Sequence, residues 1–208
     1  MTSAIMTTNF ADLTLNQHIE TEIINARGKS YGVEFYLRKT RGNPKGWISY
    51  TFSRSRVRSG DTFRETTIND GYWFSTFFDK PHQLNIVFDL QVRKGFNLSL
   101  NYNYSSGRPV TAPTANYYFI YYYIPYYPVR NGYRIPYYSR LDASVTIRRN
   151  VIRNHRYTDS VTFSIYNLLS RNNPFSVYFK RDFEDNAYAY KLSILGNAFP
   201  SLTYNFTY

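Results

Sequence analysis

The chain has no cysteine among its 208 residues. Disulfide bonds, thiolate metal sites and cysteine nucleophiles are therefore excluded. It also has no run of about 20 apolar residues, the length that a membrane-spanning helix requires, and its mean hydropathy is −0.49. These features exclude a helical membrane protein. They do not exclude a transmembrane barrel, because barrel strands alternate apolar with polar residues and are hydrophilic on average.

A secretory signal is also missing, since residues 1–10 lack a basic start followed by an apolar core of about 7–15 residues. The sequence therefore predicts either a cytosolic protein or a chain whose N-terminal part has been lost.

Acidic residues are scarce, with 14 Asp and Glu against 25 Lys and Arg and a formal net charge of +11. Such an excess indicates nucleic acid, anionic lipid or an acidic ligand as a partner. The cations are divided between short turns and long loops rather than gathered in one stripe, so we expect no nucleic acid to bind. The ten at the short turns are Arg38, Lys39, Arg41, Lys45, Arg93, Lys94, Arg148, Arg149, Arg153 and Arg156.

Aromatic residues, by contrast, make up 20% of the chain. They favour strands and gather at membrane–water interfaces. The dominant sequence period is two, which predicts strands with one apolar and one polar face. The clearest segment is 96–104, where Phe96, Leu98, Leu100, Tyr102 and Tyr104 alternate with Asn97, Ser99, Asn101 and Asn103.

Similar alternation predicts about seven strands of roughly 9–13 residues and no convincing helix. Their clearest parts are 31–38, 48–53, 83–92, 96–104, 141–148 and 161–166, with a last strand from Tyr188 to Tyr208 kinked at Pro200.

The connections between these strands alternate in length. Short basic turns are expected at 41–46, 93–95 and about 149–158, and long links at about 56–81, 108–137 and 170–187. Outer-membrane barrels have short periplasmic turns and long extracellular loops, whereas the strands of a soluble sandwich are shorter. The prediction is an all-β fold: an antiparallel transmembrane β-barrel segment of about seven strands with long extracellular loops and short periplasmic turns.

An ordered series of motifs from about residue 25 onward resembles the barrel of TonB-dependent outer-membrane receptors. It is most similar to the subfamily with an N-terminal carboxypeptidase-regulatory-like domain. The motifs are Gly28–Phe35, Gly46–Ser53, Ile68–Trp73, Asp79–His82, Tyr104–Val110, Arg130–Pro136 with Arg140–Asp142, Ile165–Asn167, Asn172–Phe179 and Pro200–Tyr208.

This resemblance implies a barrel of 22 strands, closed by a separate plug, that imports a ligand with energy from TonB. Residues 1–27 are then expected to be an extracellular loop or a truncated start, and residues 28–208 the C-terminal portion of the barrel. The chain would carry about the last third of the barrel without plug or TonB-contacting segment. Since bacterial single-chain barrels have even strand numbers, we expect a fragment, or the remnant of a broken reading frame, that does not transport alone.

The expected function is that of a non-enzymatic, cofactor-free part of a receptor in the cell outer membrane. The ligand is a scarce compound such as a siderophore, glycan, peptide or cobalamin. The alternatives are a passive porin, a secreted β-sandwich binding module and a nonfunctional gene fragment. Expected partners are outer-membrane lipid and lipopolysaccharide, the barrel-assembly machinery, TonB through the missing N-terminal regions, and a surface lipoprotein.

Candidate ligand contacts lie in the long links. Arg54, Arg56 and Arg58 are expected to share the inner face of the second strand's outer end, where they attract an anion or solvate a loop base. Ten tyrosines fall within Tyr117–Tyr138, and their rings and hydroxyls suit sugars, aromatic cofactors or peptides unless the loop packs on its own rings. The candidates are Arg54, Arg56, Tyr72, Trp73, Tyr121, Tyr122, Tyr123, Tyr126 and Tyr127.

Other polar residues are expected to be structural. Arg140 and Asp142 fall on one polar face and predict an ion pair. His18, His82 and His155 have no metal-ligand spacing, so no metal site is predicted.

The C-terminal segment 202–208 is expected to be the closing strand and the signal for the assembly machinery. Its apolar positions alternate with Thr and Asn, and it stops on an aromatic residue, although Tyr replaces the commoner terminal Phe. The signal residues are Tyr204, Phe206 and Tyr208.

Overall fold

The structure, a computed structural model, describes residues 2–7, 23–59, 67–120, 122–148, 158–181 and 187–207. Its strands are β1 Thr2–Thr7, β2 Ile23–Lys39, β3 Lys45–Ser59, β4 Phe74–Ser75, β5 His82–Arg93, β6 Phe96–Ser105, β7 Pro109–Val110, β8 Ala115–Phe119, β9 Tyr122–Tyr126, β10 Tyr133–Arg134, β11 Tyr138–Arg148, β12 Thr158–Tyr166, β13 Pro174–Arg181, β14 Ala187–Ser193 and β15 Phe199–Thr207. One 3-10 turn spans Ile68–Gly71.

The main sheet is an antiparallel meander in the order β1-β2-β3-β5-β6-β11-β12-β15, and β4 pairs with the far end of β3. Each long strand pairs with its nearest long neighbours in the sequence. The all-β, antiparallel prediction is therefore confirmed. Within the described residues the sheet does not close on itself, and β1 and β15 form its two edges.

The strand register places the apolar residues of seven strands on one face of the sheet. Residues directly opposite each other in antiparallel strands share a face. One such row crosses five strands through Leu90, Leu98, Val145, Phe163 and Leu202. Most of the apolar face is uncovered: Phe35, Phe163 and Leu202 are 64%, 47% and 73% exposed.

The opposite face of the same sheet is polar. The row adjacent to the one above runs through Asp89, Ser99, Ser144, Ser164 and Ser201. Its hydroxyls are bonded across strands, with Ser164 Oγ 2.7 Å from Ser201 Oγ. A second such pair joins Thr146 Oγ1 and Thr162 Oγ1 at 3.0 Å. The sheet is thus amphipathic across the seven long strands from β2 to β15.

The connections differ at the two ends of the strands. Residues 40–44 and 94–95 form short turns at one end. At the other end, 106–137 contains the β7–β10 pairing and the β8–β9 hairpin, and 167–198 contains the β13–β14 hairpin. A small core of Ala26, Val57 and Phe74, packed against Ile68, lies at this loop end.

One expectation for the strands needs correction. The last predicted strand, from Tyr188 to Tyr208, is wrong: residues 187–193 pair with β13 outside the main sheet, and the strand of the main sheet begins at Phe199. Within the range 1–27, β1 pairs with the first residues of β2, and the assignment of this range as a loop or truncated start stays a prediction. Of the described residues, none belongs to a helix long and apolar enough to cross a membrane.

Candidate functional site

A cavity of about 520 Å³ lies at the loop end of the polar face. Gln83, Asn85 and Asn103 form its floor from β5 and β6, and Tyr138 and Tyr166 border it from β11 and β12. Lys80, Arg108 and Phe175 contribute from the connecting segments. Its amide, hydroxyl and cationic groups are suited to a polar or anionic ligand.

Arg140 organises one wall of this cavity. Its Nη1 donates hydrogen bonds to the hydroxyls of Tyr138 at 3.0 Å and Tyr166 at 2.8 Å, and its guanidinium lies 4.4 Å from the Tyr166 ring centroid. Its Nε is 3.0 Å from Asp142 Oδ2, an ion pair in which the N–H does not point at the carboxylate. The predicted Arg140–Asp142 ion pair is confirmed, and it fixes the orientation of two cavity tyrosines.

Asp79 holds two connecting segments together beside the cavity. Its side chain is 1% exposed. It accepts a hydrogen bond from the Ser55 N–H at 2.7 Å and forms ion pairs with Arg54 at 3.3 Å and with Arg134. Burial raises the pKa of Asp79, but the Ser55 N–H and Arg134 outweigh it and hold the pKa below its ordinary value.

Asparagine side chains extend this connection between segments 67–81 and 107–134. Asn69 accepts from the Arg130 N–H at 2.7 Å and donates to the Arg130 carbonyl at 2.9 Å. Asn131 donates to the Ser75 carbonyl at 2.8 Å, and Arg134 donates to the Asp79 and Gly107 carbonyls. We call these two joined segments the loop platform. It supports one rim of the cavity.

Asn167 joins connecting segments through hydrogen bonds on the other side of the cavity. It is 1% exposed, and its backbone is left-handed with φ of 53°. Its amide donates to the carbonyls of Arg171, Leu195 and Gly196. Its own N–H donates to Asp142 Oδ1 at 2.9 Å. The turn after β12 is thereby tied to both the β13–β14 hairpin and the Arg140–Asp142 pair.

Gly107 and Pro109 give the motif Tyr104–Val110 a physical basis. A Cβ at Gly107 would collide with the Ile135 carbonyl oxygen. The close approach allows Ile135 N–H to donate to the Arg108 carbonyl at 3.1 Å, and Pro109 is fully buried beneath it. This glycine is needed because two backbones meet there.

The tyrosine-rich segment forms the β8–β9 hairpin, which has exposed rings. Tyr117 and Phe119 are 52% and 56% exposed. Tyr126 and Tyr127, two of the predicted ligand contacts, are likewise about half exposed, at 53% and 50%. Tyr121 lies outside the described residues, and the side chains of Tyr122 and Tyr123 are not described. The ligand assignment of all five stays a prediction.

The predicted position of Arg54, Arg56 and Arg58 on the inner, polar face is wrong. The uninterrupted β2–β3 register pairs them with Tyr31, Lys29 and Arg27. By strand parity they share a face with Tyr50 and Phe52, beyond the end of the apolar band. They therefore do not line the cavity. Phe52 is the last apolar residue of β3 on this face, so the three arginines lie beyond the apolar band.

Tyr72 and Trp73, the other two predicted contacts from this region, differ in environment. Tyr72 is 75% exposed. The Trp73 ring lies 4.2 Å from Lys29 Nζ and 5.1 Å from Arg58 Cζ. Trp73 therefore belongs with the arginines outside the cavity, and neither aromatic lines the cavity.

The remaining predicted residues are the three histidines and the aromatic residues of the C-terminal segment, of which the structure describes His82, Tyr204 and Phe206. His82 Nδ1 is 2.9 Å from the Tyr50 hydroxyl and its ring packs on Phe52; His18 and His155 lie outside the described residues. No cluster of potential metal ligands occurs among the residues that the structure describes. Tyr204 and Phe206 are 62% and 57% exposed on the apolar face of β15, and Tyr208 is not described.

None of the residues that line the cavity is among the nine ligand-contact candidates of the sequence. Tyr138, Tyr166 and Asn103 sit at polar positions of alternating strands, and that alternation was the available signal. The contribution of Lys80 and Arg108 depends on how distant loops meet, which no local pattern indicates. No family model, curated protein or solved structure matches the chain.

Proposed function

We propose that this chain forms part of the wall of an antiparallel transmembrane β-barrel in a bacterial outer membrane. In this arrangement the apolar face contacts lipid and the polar face lines the lumen. The observation that carries the proposal is the unbroken, uncovered apolar face across seven strands.

The free energy of removing apolar side chains from water favours lipid over water in contact with this face. Removing a large apolar side chain from water contributes about 1.5–3 kcal/mol, and about half of that when it is already half covered. The seven strands carry about 25 large outward side chains, so the difference reaches roughly 20–40 kcal/mol, more than the net stability of about 5–15 kcal/mol of a domain. A sandwich would need a second apolar sheet of similar size, and the described residues contain only two-stranded sheets besides the main one.

Within the barrel class, we propose that the parent protein is a TonB-dependent receptor that imports a scarce ligand. The ordered motifs of the sequence support this reading. Several of them have structural tasks that suit a ligand-gathering surface: Asn69, Asp79 and Asn167 brace the loop ends, and Gly107 allows two backbones to meet. The cavity and the exposed tyrosine hairpin lie at this same end.

The proposed partners follow from this function. The barrel-assembly machinery would insert the protein, TonB would act through regions N-terminal to this chain, and a surface lipoprotein would cover the loops.

Nutrient uptake tests the import proposal. Cells lacking the gene are grown on limiting iron, cobalamin, peptides and glycans, and compared with cells lacking TonB. The proposal predicts a shared defect on at least one nutrient, restored by the intact gene. A passive porin would be indicated by two results together. The gene deletion would cause the same growth defect in strains with and without TonB, and the upstream reading frame would add strands but no plug.

A further inference from the structure

The apolar face of β2 and β3 ends in a cluster of cations. Beyond Tyr31 the same face carries Lys29 directly opposite Arg56, and Arg27 directly opposite Arg58. We call these four residues the basic rim. Two-residue steps along a strand are about 7 Å, so Lys29 and Arg27 lie about 7 and 13 Å beyond Tyr31 along the strand.

Like charges directly opposite each other in a sheet are destabilising. Here two such pairs are stacked one above the other. The ion pairs among the described residues join acids to Arg54, Arg134 and Arg140, and none of them includes a rim residue. Within the described part of the chain, the repulsion is therefore relieved by no carboxylate. An external polyanion would relieve it.

Trp73 adds a second, independent feature of the same surface. Its ring lies between Lys29 Nζ, at 4.2 Å from the centroid, and Arg58 Cζ, at 5.1 Å. Tyr31, 55% exposed, lies between the rim and the apolar band. Tryptophan and tyrosine favour the level of the headgroups, where an amphipathic ring meets both hydrocarbon and water.

We propose that the basic rim binds the phosphorylated headgroup of a membrane lipid whose acyl chains lie along the adjoining apolar band. Arginine and lysine hold phosphate through charge-assisted hydrogen bonds. Paired cations on neighbouring strands suit a headgroup with more than one phosphate. The site faces outward, so it is separate from the cavity on the polar face. This inference rests on the proposed membrane location, but not on the transported ligand.

Native mass spectrometry of the full-length protein in detergent tests the proposal. The protein is titrated with a bisphosphorylated lipid, with phosphatidylcholine, and with inorganic pyrophosphate as competitor. The double variant Lys29→Gln/Arg56→Gln removes two rim charges. The matched control, Arg38→Gln/Lys45→Gln, removes two cations from the polar face at the other end of the same strands.

The rim variant is expected to bind the bisphosphorylated lipid roughly 10- to 30-fold more weakly than the wild type, because each of the two removed cations contributes about fivefold near a lipid surface. The control and the charge-conserving Lys29→Arg/Arg56→Lys variant should bind as the wild type does. If the double variant fails to fold, Arg58→Gln should still weaken binding several-fold.

Equal lipid binding by the rim variant and the control would overturn the proposal. Complete displacement by pyrophosphate would also overturn it, since the site would then recognise soluble phosphate. Heat-modifiable gel mobility of the wild type keeps the two proposals separate. If the wild type is a folded membrane barrel but the rim substitutions do not change lipid binding, this inference alone fails. A soluble wild type would contradict the proposed function itself.

Discussion

At the scale of single residues, the loop end depends on a few buried polar side chains. Asp79 is in contact with the Ser55 amide, Arg54 and Arg134, so one carboxylate connects β3 to two loops. A buried carboxylate whose partners are removed is costly. The stability of the loop platform should therefore follow the ionisation of this group.

The pKa of Asp79 lies below its ordinary value. Its contribution to stability is fully present above the unfolded pKa of about 3.9 and is lost as the pH falls through the lower folded value. We predict that the rate of pepsin cleavage in segment 67–81, divided by its rate on an unfolded peptide at the same pH, is low at about pH 4.5 and much higher below about pH 3. Asp79→Asn should have a high normalised rate at both pH values, which gel electrophoresis of the fragments would measure.

Asp70→Asn is the control, because Asp70 is an exposed residue of the same segment and belongs to none of the ion pairs of the described residues. Its cleavage should follow the wild type. A pH profile of Asp79→Asn identical to that of the wild type would show that another group controls this loop.

Asn167 gives a prediction that separates backbone from side chain. Both Asn167→Gly and Asn167→Ala remove the amide bonds to Arg171, Leu195 and Gly196. Alanine also pays about 1–2 kcal/mol for the left-handed backbone with φ of 53°, which glycine adopts freely. Asn167→Ala should therefore be the less stable of the two in urea unfolding. Equal stability would show that the backbone relaxes out of this conformation.

At the scale of elements, the strands could be predicted because their signal is local. Alternation in 83–92 and 96–104 fixes both the strands and their faces, and the structure has β5 and β6 there in register. Alternation failed between 188 and 208. Apolar residues occupy even-numbered positions in both β14 and β15. The alternation therefore does not show that the chain turns between the two strands, near Leu195 with its φ of 52°.

The site was less predictable than the strands for the same reason. The loop platform forms through contacts such as Arg134 with Asp79, which are 55 residues apart in sequence. The expected inner-face position of the β3 arginines disagrees with their parity with Tyr50 and Phe52, and this parity gives the correct face. Composition indicates which residues can bind a ligand, but pairing decides where they lie.

The two faces of β6 should respond differently to charge. Leu100 lies at the middle of the apolar face, opposite Phe88 and Ala143, and Asn101 is its neighbour on the polar face. We predict that Leu100→Lys lowers the free energy of unfolding in lipid vesicles by about 2–4 kcal/mol, because a cation at the bilayer midplane costs about that much. Asn101→Lys, the matched control, should change it by less than about 1 kcal/mol. Similar losses for both would contradict the assignment of the faces.

At the scale of the whole molecule, the central claim is that one face of the sheet meets lipid and the other meets water. Other arrangements of the same strands differ in what covers the apolar face. A barrel places acyl chains there, a sandwich places a second sheet, and an aggregate places other copies. Only the first leaves the apolar residues accessible to small apolar molecules and closed to polar ones.

Spin-label accessibility in native membranes tests this most directly, and no native cysteine of residues 1–208 competes with an introduced cysteine for the label. Single cysteines replace Phe35, Leu100 and Leu202 on the apolar face and Glu34, Asn101 and Ser201 on the polar face of the full-length protein. We predict that the first three nitroxides collide frequently with oxygen and rarely with a water-soluble nickel complex, and that the second three show the reverse. If apolar-face labels were shielded from both reagents, or if both faces collided equally with the nickel complex, the membrane-barrel account would be contradicted.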